Sequence, residues 1–315
     1  MTNLLIRSDA LHLQTHAPAN AAQLVYLDPP FGAGGTWGAR PRGPACATGE
    51  RARRNGPVAY TDRWSSIEAY VHWLEPRLVV ARDCLASNGT MWLHLDHRAV
   101  HDAKVVCDRV FGRASFLGEV VWAQGNGARG ARRGPATTHQ TLLIYARGHH
   151  FIWNARDPSL REPFSPTSMT MHFGQTDAGG RRYRDRTVGG KTYRYFADEG
   201  RAIGSVWTDC PSMAANTPLL RETTGYPTQK PLKLLERIVR ASTSADGLVI
   251  DPFCGSGTAL VASFRNGRPF VGCDLGQLAI ETSSRRLEAE GAPFETRLDS
   301  ERCPGATKEA FIPSF

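Results

Sequence analysis

Two short polar segments, each directly after an apolar run of strand-forming residues, constrain the fold of this chain more than any other feature. The sequence Asp-Pro-Pro-Phe (28–31) follows the run 24–27, and Asp-Pro-Phe-Cys-Gly-Ser-Gly-Thr (251–258) follows the run 248–250. Such short continuous runs are typical of buried parallel strands, and open α/β sheets bind their ligands at the carboxyl ends of those strands. The two segments therefore predict an α/β sheet with a ligand site where both strands end.

Length and composition place the chain among folded globular proteins. Its 315 residues are 41% hydrophobic, which suffices for one large α/β core and an accessory lobe. Apolar runs stay well short of the roughly 20 residues that span a bilayer, and the first residues lack a leader pattern, so we expect a soluble, cytoplasmic protein without a membrane partner. Seven cysteines, without C-x-x-C spacing, favour reduced thiols over disulfides or zinc, and no metal site is predicted.

Hydrophobic periodicity outlines the other elements. Ser65 or Ser66 is a candidate N-cap for a helix whose apolar positions continue to Leu85, and Asn88-Gly89 is expected to end it. Residues 32–59, rich in Gly, Pro and Arg, predict a mobile surface loop. Further strands are predicted at 3–6, 90–95, 119–122, 141–145 and 269–273, the third and fourth as an antiparallel pair, and further helices at 100–111, 232–239, 259–266 and 278–287.

The middle of the chain, residues 125–225, carries most of the positive charge. It contains 14 Lys and Arg against 8 Asp and Glu, and so supplies +6 of the formal net charge of +8. Aromatic residues such as Trp153, Tyr183 and Tyr193 are interleaved with that charge. Composition by itself favours a solvated insertion with a small satellite core, whereas binding of a polyanion needs the same basic surface. Charge alone does not decide between these interpretations.

The glycine-rich segment is suited to holding a nucleoside cofactor. Gly255 and Gly257 allow a sharp turn and a close approach of the backbone to a ligand, at the N-terminus of the following helix. The spacing matches neither the dinucleotide fingerprint nor the Walker lysine motif. Asp251 can bind an ammonium group, and Asp274, at the end of the next strand, can accept hydrogen bonds from both ribose hydroxyls. This combination predicts a site for S-adenosylmethionine.

The Asp-Pro-Pro-Phe segment carries the predicted chemistry. An exocyclic amine of a nucleobase is a poor nucleophile because its lone pair is delocalised into the ring. The Asp28 carboxylate can accept one of its N–H bonds and the Pro29 carbonyl the other, which localises the lone pair for attack on a methyl sulfonium. Pro29 and Pro30 stiffen the turn, and Phe31 can stack on the base. The target nucleotide must be flipped out of a duplex to reach this position.

The two segments, catalytic first and cofactor loop last, resemble those of the β-class bacterial DNA amino-methyltransferases. The resemblance spans nearly the whole chain and also includes Ser8-Asp9-Ala10, His94-Leu95-Asp96, Phe111-Gly112, Glu119-Val120-Val121-Trp122 and the segment Tyr226–Pro231. It implies an α/β, circularly permuted Rossmann-like methyltransferase fold, with a mostly parallel doubly wound sheet and an inserted DNA-recognition region. The implied division is a catalytic half at 1–124, a target-recognition region at 125–225, a cofactor-binding half at 226–290 and a tail at 291–315.

The resemblance, together with the motifs, assigns site residues and partners. The predicted catalytic residues are Asp28, Pro29, Pro30 and Phe31. The predicted S-adenosylmethionine site comprises Asp9 near the adenine ring, Thr228, Gln229 and Lys230 at the methionine end, and Asp251, Phe253, Gly255, Ser256, Gly257, Thr258 and Asp274. The predicted DNA contacts are Arg129, Arg132, Arg133, Arg181, Arg182 and Arg184. Double-stranded DNA is the implied substrate at the nucleoid, and a homodimer and a cognate restriction endonuclease are candidate partners.

The base that is methylated stays partly open. Family members with Asp before Pro-Pro usually methylate adenine at N6, so adenine is the predicted target and cytosine N4 the alternative. Methylation at cytosine C5 is disfavoured because it needs a thiolate, usually in a Pro-Cys pair, whereas here Cys210 precedes Pro211. RNA methylation is another alternative. RNA methyltransferases with Asp-Pro-Pro-Phe have the cofactor loop before that segment, so the opposite order in this chain argues against it. A non-catalytic DNA-binding regulator is the remaining alternative, and the intact Asp28 and Gly255 argue against it.

Overall fold

A computed structural model describes residues 2–32, 34–39, 57–124, 134–213 and 222–299. Its strands are β1 (Leu4–Arg7), β2 (Ala22–Leu27), β3 (Gly35–Gly38), β4 (Val58–Asp62), β5 (Leu85–Leu95), β6 (Phe116–Ala123), β7 (His139–Ala146), β8 (Arg161–Glu162), β9 (Gln175–Thr176), β10 (Arg182–Val188), β11 (Lys191–Phe196), β12 (Arg201–Ala202), β13 (Val206–Trp207), β14 (Leu248–Asp251), β15 (Phe270–Asp274) and β16 (Glu295–Leu298). Its α-helices are α1 (Ile67–Cys84), α2 (Val100–Phe111), α3 (Pro166–His172), α4 (Leu232–Ser242), α5 (Thr258–Arg265) and α6 (Gln277–Ala289).

A nine-stranded sheet in the order β13-β6-β7-β5-β2-β14-β15-β1-β16 forms the centre of the described structure. Neighbouring strands are parallel except that β7 runs antiparallel to both β5 and β6. The predicted antiparallel pair is therefore confirmed, and so is the mostly parallel sheet. Strand β14, from the C-terminal part of the chain, lies between β15 and β2, so the two parts of the sequence complete one sheet.

The sheet is covered by helices on both faces, as the predicted doubly wound fold requires. Alternate side chains of β2 and β14 point to opposite sides: Val25 and Ile250 belong to the apolar cluster that contains α1 and α2. Leu24 and Val249 belong to the cluster that contains α4 and α5. Strands that are apolar on both faces are buried between two layers, and the period-2 alternation explains how one strand serves two cores.

The boundary between α1 and β5 differs from the predicted one. Ser66 caps α1 as expected, since its Oγ accepts a hydrogen bond from the Ala69 amide at 3.2 Å. The helix ends at Cys84, however, and β5 begins at Leu85, so Asn88-Gly89 lies within a strand and does not end the helix. A Cβ on Gly89 would lie 2.5 Å from the Ala22 carbonyl oxygen. Gly89 therefore permits a close approach of β5 to β2, at a point where their pairing register shifts.

Two predicted segment boundaries also look different in three dimensions. The described ends of the predicted loop 32–59 are not loop throughout, because β3 and β4 pair as antiparallel strands. From within 125–225, β7 lies inside the main sheet and β13 pairs with β6 at its edge. The inserted part is thus the stretch between β7 and β13, which contains α3 and the small sheets of β8 to β12. None of the described helices has the length and apolarity needed to cross a membrane.

Candidate active site

The two polar segments lie side by side in the structure. β2 and β14 are neighbouring parallel strands, with Val25 opposite Ile250. Asp28 follows the carboxyl end of β2, Asp251 ends β14, and Asp274 ends the next strand, β15. The direction of the chain connections reverses between β2 and β14, which is where open α/β sheets form their ligand crevice. The predicted spatial relationship of the two segments is confirmed.

A cleft of about 1850 Å³ opens above these strand ends. This exceeds the roughly 300 to 1,000 Å³ of a site for one small molecule, so it has room for a cofactor and an extruded base together. Residues of both segments line it, and the paired strands β3 and β4 and part of α1 form further walls. The lining residues include Asp9, Asp28, Pro29, Pro30, Phe31, Tyr60, Asp62, Trp73, Thr228, Gln229, Lys230, Asp251, Phe253, Gly255, Ser256, Thr258 and Asp274.

Asp28 has one engaged and one free carboxylate oxygen. Oδ2 accepts a short hydrogen bond from Lys230 Nζ in an ion pair. Oδ1 is buried and, among the residues that the structure describes, has no hydrogen-bond partner. Burial raises the pKa of the Asp28 carboxyl, and the Lys230 ammonium opposes that rise. A free acceptor oxygen on an ion-paired carboxylate is suited to an N–H donor that enters the cleft.

Asp62 fixes the backbone that follows the two prolines, a role that sequence analysis missed. Its Oδ1 accepts a hydrogen bond from the Gly32 amide at 2.8 Å and from Trp64 Nε1 at 3.0 Å, and its Oδ2 accepts from the Phe31 amide at 3.2 Å. The side chain is 1% exposed. Asp62 stands at the end of β4, far from Asp28 in the sequence, and no local pattern links the two segments.

A buried polar pair supports the catalytic segment from within the sheet. The Tyr26 hydroxyl and His94 Nδ1 share a hydrogen bond of 2.8 Å, and the His94 ring lies 6.0 Å from that of Phe31. Burial lowers the pKa of His94 well below its ordinary value, and the nearby Lys230 charge adds to this effect. His94 is therefore neutral at physiological pH, which keeps a second positive charge away from Asp28.

The glycine loop adopts backbone conformations that require glycine. Gly255 has φ +50° and Gly257 has φ +75°, both in the left-handed region. A Cβ on Gly257 would lie 2.8 Å from Ser283 Oγ, and one on Gly255 would lie 3.2 Å from the Tyr226 ring. α5 begins directly after this turn at Thr258. The predicted cradle at a helix N-terminus is present.

Ser256 and Thr258 brace the loop from below. Both are at most 5% exposed. Thr258 Oγ1 donates to the Lys230 carbonyl at 3.2 Å and accepts from Arg286 Nη1 at 2.7 Å. These bonds tie the glycine loop to α6 and to the Lys230 segment. The Thr258 hydroxyl thus helps to hold the shape of the loop, and the contacts of Ser256 and Thr258 with a cofactor stay predictions.

Two acidic residues end strands on the cofactor side. Asp274 accepts from the Gly255 amide at 2.9 Å and the Gly276 amide at 2.8 Å, one with each oxygen, and burial raises the pKa of Asp274 to about 6. Each carboxylate oxygen has a second lone pair, so both remain acceptors for hydroxyl groups. Asp251 accepts from the Phe253 amide at 3.0 Å, and burial raises its pKa well above the ordinary value. A cationic ligand group would restore its ionised form.

Asp9 and Arg77 form an ion pair at another wall of the cleft. Arg77 Nη2 lies 2.6 Å from Asp9 Oδ2, and the guanidinium carbon lies 4.1 Å from the Trp73 ring centre. Asp9 Oδ1 also accepts from the Leu11 amide at 2.9 Å. The structure therefore brings predicted Asp9 to the cleft and adds Arg77 and Trp73, which lie in a helix that resembles the family but were not predicted as site residues. Phe253 lies 5.8 Å from Trp73, which extends an aromatic wall.

The Thr-Gln-Lys segment lines the cleft and is held in place by its own hydrogen bonds. Thr228 has φ +57°, which is uncommon for a non-glycine residue. Its hydroxyl bonds the Tyr60 hydroxyl at 3.1 Å. The Gln229 amide accepts from Thr224 and donates to the Glu222 carbonyl, each at 2.8 Å, and so braces the turn. Lys230 lines the cleft and contacts the Asp28 carboxylate, and its predicted place at the methionine end of a cofactor stays a prediction.

The predicted DNA contacts have mixed outcomes. Arg129, Arg132 and Arg133 lie outside the described residues. Arg181 forms ion pairs with Asp198 at 2.8 Å and Glu199 at 3.2 Å. Arg182 donates to the carbonyls of Phe173 and Met169, and the Arg184 guanidinium lies 5.1 to 5.5 Å from three aromatic rings. These three cations are already engaged within the protein, so their contact with phosphates stays a prediction.

Comparison with known protein families identifies the family to which this chain belongs. The family model described as DNA methylase, whose name specifies N6 and N4 enzymes, matches residues 22–285. The chain belongs to this DNA methylase family. The match covers both motif segments and the insertion between them, and it confirms the predicted DNA amino-methyltransferase that uses S-adenosylmethionine.

Curated relatives agree with this assignment. The type II methyltransferase M.EcaI of Enterobacter cloacae is 26% identical over 87% of this chain and 66% of its own length. The type II methyltransferase M1.MboII of Moraxella bovis is 30% identical over 67% of this chain and 78% of its own length. The DNA adenine methyltransferase YhdJ of Escherichia coli is 22% identical over 90% of this chain and 82% of its own length.

Solved structures share the fold. The cytosine-N4-specific PvuII DNA methyltransferase has a TM-score of 0.56 at 14% identity, covering 91% of this chain and 86% of its own. A DNA modification methylase of Thermus thermophilus, TTHA0409, in complex with S-adenosyl-L-methionine, has a TM-score of 0.53 at 18% identity, covering 93% of this chain and 99% of its own. These likenesses confirm the predicted methyltransferase fold.

Proposed function

We propose that this protein transfers a methyl group from S-adenosylmethionine to the N6 amine of adenine at a specific site in double-stranded DNA. One observation carries the proposal: one cleft is lined both by Asp28, whose Oδ1 has no hydrogen-bond partner among the described residues, and by Gly255 and Ser256 of the glycine loop. Asp before Pro-Pro favours adenine. Cytosine N4 is the second candidate, because a relative named for adenine and a fold neighbour named for cytosine N4 both resemble this chain.

Asp28 is the residue that prepares the target amine. Its free Oδ1 accepts one N–H of the amine and the Pro29 carbonyl the other, which localises the nitrogen lone pair. The Lys230 ammonium opposes the rise in the Asp28 pKa that burial causes, and so favours the ionised form, in which both oxygens are acceptors. Asp62 holds the backbone after the prolines and thereby aims the Pro29 carbonyl before the substrate arrives. Strong basicity is not required, because the amine proton becomes acidic only after methyl transfer.

The residues around the glycine loop fit S-adenosylmethionine. Gly255 and Gly257 allow the tight turn through their positive φ, Asp274 has acceptor lone pairs for ribose hydroxyls, and buried Asp251 suits an ammonium group. Asp9 with Arg77 lies at the wall assigned to the adenine ring. When bound, this cofactor supplies an electrophilic methyl group. Trp73 and Phe253 add aromatic surface to the wall beside Asp9 and Arg77.

Assembly and biological setting follow from the family resemblance. We propose that the protein acts at the nucleoid, where its DNA substrate lies, and that it works in a restriction-modification system beside an endonuclease. A homodimer is proposed on the same basis. Light scattering of the purified protein at micromolar concentration tests the dimer, and a mass of one chain would contradict it.

The direct test of the proposed function is product analysis. Unmethylated genomic DNA is incubated with the protein and S-adenosylmethionine, and the hydrolysed nucleosides are identified by mass spectrometry. N6-methyladenine is the expected product. Detection of N4-methylcytosine would instead identify cytosine N4, the second candidate, as the target. Absence of any methylated nucleoside in DNA would contradict the proposal.

A matched pair of variants tests the role of Asp28. Asp28→Asn keeps the size of the side chain but replaces an acceptor oxygen by a donor, so we expect transfer to fall by at least about 100-fold. Calorimetry should find S-adenosylmethionine binding nearly unchanged. The control Asp102→Asn removes an exposed carboxylate in the first turn of α2 and should retain full activity. Substantial turnover by Asp28→Asn would exclude the polarising role.

A further inference from the structure

The insertion presents a regular two-stranded ribbon. β10 and β11 pair from Tyr183 opposite Phe196 to Val188 opposite Lys191. Gly189 and Gly190 connect them with φ +58° and +76°. Two consecutive positive φ values are those of the tight hairpin turn that matches the natural twist of strands, and glycine is the favoured residue there. The ribbon therefore has a fixed register and a narrow tip.

One face of the ribbon has its charges neutralised within the protein. Arg194 forms a bidentate pair with Asp185, at 2.9 Å for each bond. The hydroxyls of Thr187 and Thr192 bond each other at 3.0 Å. Arg181 beside this face pairs with Asp198. Little net positive charge remains here for an external anion.

The opposite face, here called the outer face, consists of Arg186, Val188, Lys191 and Tyr193. All four side chains are exposed, Val188 by 52% and Tyr193 by 44%. Arg186 stands opposite Tyr193, and Val188 opposite Lys191, so the four share one side of the ribbon. Within the part of the chain that the structure describes, neither Arg186 nor Lys191 forms an ion pair. Unpaired cations beside exposed apolar groups indicate a surface for an anionic partner.

The base of the same face is anchored to the body of the insertion. The Arg184 guanidinium lies 5.1 Å from the Phe173 ring and 5.5 Å from the Tyr195 ring. Phe173 is fully buried, and its ring lies 4.5 Å from that of Phe164. Arg182 donates to the Phe173 carbonyl at 2.8 Å. The ribbon is thus fixed at one end, and the outer face lies toward its free end.

We propose that the outer face docks into the major groove of double-stranded DNA, with Arg186 and Lys191 on phosphates or base edges. The groove is about 12 Å wide and admits a two-stranded ribbon, whose strands lie about 4.8 Å apart. The major groove of A-form RNA is too narrow for the same entry. This inference rests on the proposed function. It places the DNA contacts nearer the tip of the ribbon than the predicted Arg181, Arg182 and Arg184.

The first test compares two double variants with equal loss of charge. Arg186→Gln/Lys191→Gln removes the outer-face cations, and Arg113→Gln/Arg285→Gln removes two exposed arginines outside the insertion. Duplex affinity is measured over a range of salt concentration. Loss of two phosphate contacts should reduce the slope of log K against log salt by about 1.8 and weaken binding at least tenfold, with the control unchanged. Calorimetric binding of S-adenosylmethionine should be the same for all three proteins.

Equal behaviour of the two double variants would overturn the inference. A wild-type protein that methylates no DNA would instead refute the proposed function, so the two failures are distinguishable. The second test needs no substitution: dimethyl sulfate reports access to guanine N7 in the major groove of a duplex with the mapped methylation site. Protection at N7 is expected on binding. Protection confined to the minor groove, or preference for single-stranded DNA or RNA, would also overturn the proposal.

Discussion

At the scale of single residues, the Asp28–Lys230 ion pair joins the two sequence segments that form the active site. Lys230 comes from the segment before α4, yet its ammonium bonds the carboxylate that follows β2. An opposite charge this close lowers the pKa of an acid by about 1 to 3 units relative to the same buried group alone. The ion pair thus favours the ionised form of Asp28, which is the form with two acceptor oxygens.

Removal of the Lys230 charge should shift the pH dependence of methyl transfer. Without the ammonium, the pKa of Asp28 rises further, so Lys230→Gln should move the acid limb of kcat/KM up by roughly one pH unit or more. Two buried side chains near Asp28 cannot replace the positive charge of Lys230, because His94 is neutral and Tyr26 is protonated. Asp251, on β14, is an acid, and its Coulomb interaction with Asp28 raises a pKa instead of lowering it.

Two control variants belong to this experiment. Lys230→Arg keeps the charge and should retain an acid limb near that of the wild type. Lys233→Gln removes a lysine that pairs with Asp209 on the surface and should leave the profile unchanged. A loss of activity in Lys230→Gln that is equal at all pH values would mean that Lys230 acts in another way.

The pKa of Asp274 predicts a pH dependence of cofactor affinity. The pKa of Asp274 is about 6 in the folded protein, against an ordinary 3.8, so folding favours the protonated form relative to the unfolded chain. Stability from this group is fully present below about pH 4 and declines as the pH rises through 6. Ribose hydroxyls donate to the ionised form. The Kd for S-adenosylmethionine should therefore fall severalfold between pH 5 and 7 by calorimetry, and Asp274→Asn should flatten this trend.

At the scale of elements, glycines decide where two backbones meet. Gly257 and Gly267 both have φ +75°, but a Cβ would contact Ser283 only at Gly257, since nothing lies within 4 Å at Gly267. Sequence predicted the sharp turn at Gly257 from its position between a strand and a helix. It did not predict the strand position of Gly89, because the Ala22 carbonyl that requires it belongs to another element.

This pair of glycines separates backbone strain from crowding. We expect Gly267→Ala to lower the free energy of unfolding by about 1 kcal/mol, from the left-handed conformation alone. Gly257→Ala should lower it by at least about 2 kcal/mol, because the Ser283 contact is added, and should also weaken S-adenosylmethionine binding. Urea titration and calorimetry measure both effects. Equal destabilisation with unchanged binding would show that the Ser283 contact is easily relieved.

At the scale of the whole molecule, sheet order determines the active site. β14 pairs with β2, and the first and last described strands, β1 and β16, also pair with each other. Strands β14 and β15, from the C-terminal part of the chain, thus lie between β2 and β1 and complete the sheet. The insertion interrupts the sequence between β7 and β13 without interrupting the sheet, because both of those strands remain within it.

Cofactor binding should protect segments that are remote in sequence. At a concentration 100 times Kd, S-adenosylmethionine should raise the free energy of unfolding by about 2.7 kcal/mol. Hydrogen exchange should slow in peptides that cover Phe31 and Gly255, since both line one cleft. The β10–β11 ribbon, which does not line it, serves as the internal control. Protection confined to the Gly255 peptide would contradict a shared site.

The sequence by itself determined what neighbouring residues specify. Apolar runs that end in Asp28 and Asp251, glycines at turns and the helical spacing in α1, α2 and α4 are local features, and they sufficed to predict the fold class and the cleft. The enzyme family was predicted from the resemblance of the two motifs and their order to a known family. Tertiary structure alone decided the partners of the polar groups: Lys230 on Asp28, Asp62 on the catalytic backbone, Arg77 on Asp9, and the charged face of the ribbon. Such contacts join elements far apart in the chain, and their geometry follows from packing of the whole sheet, which no local pattern records.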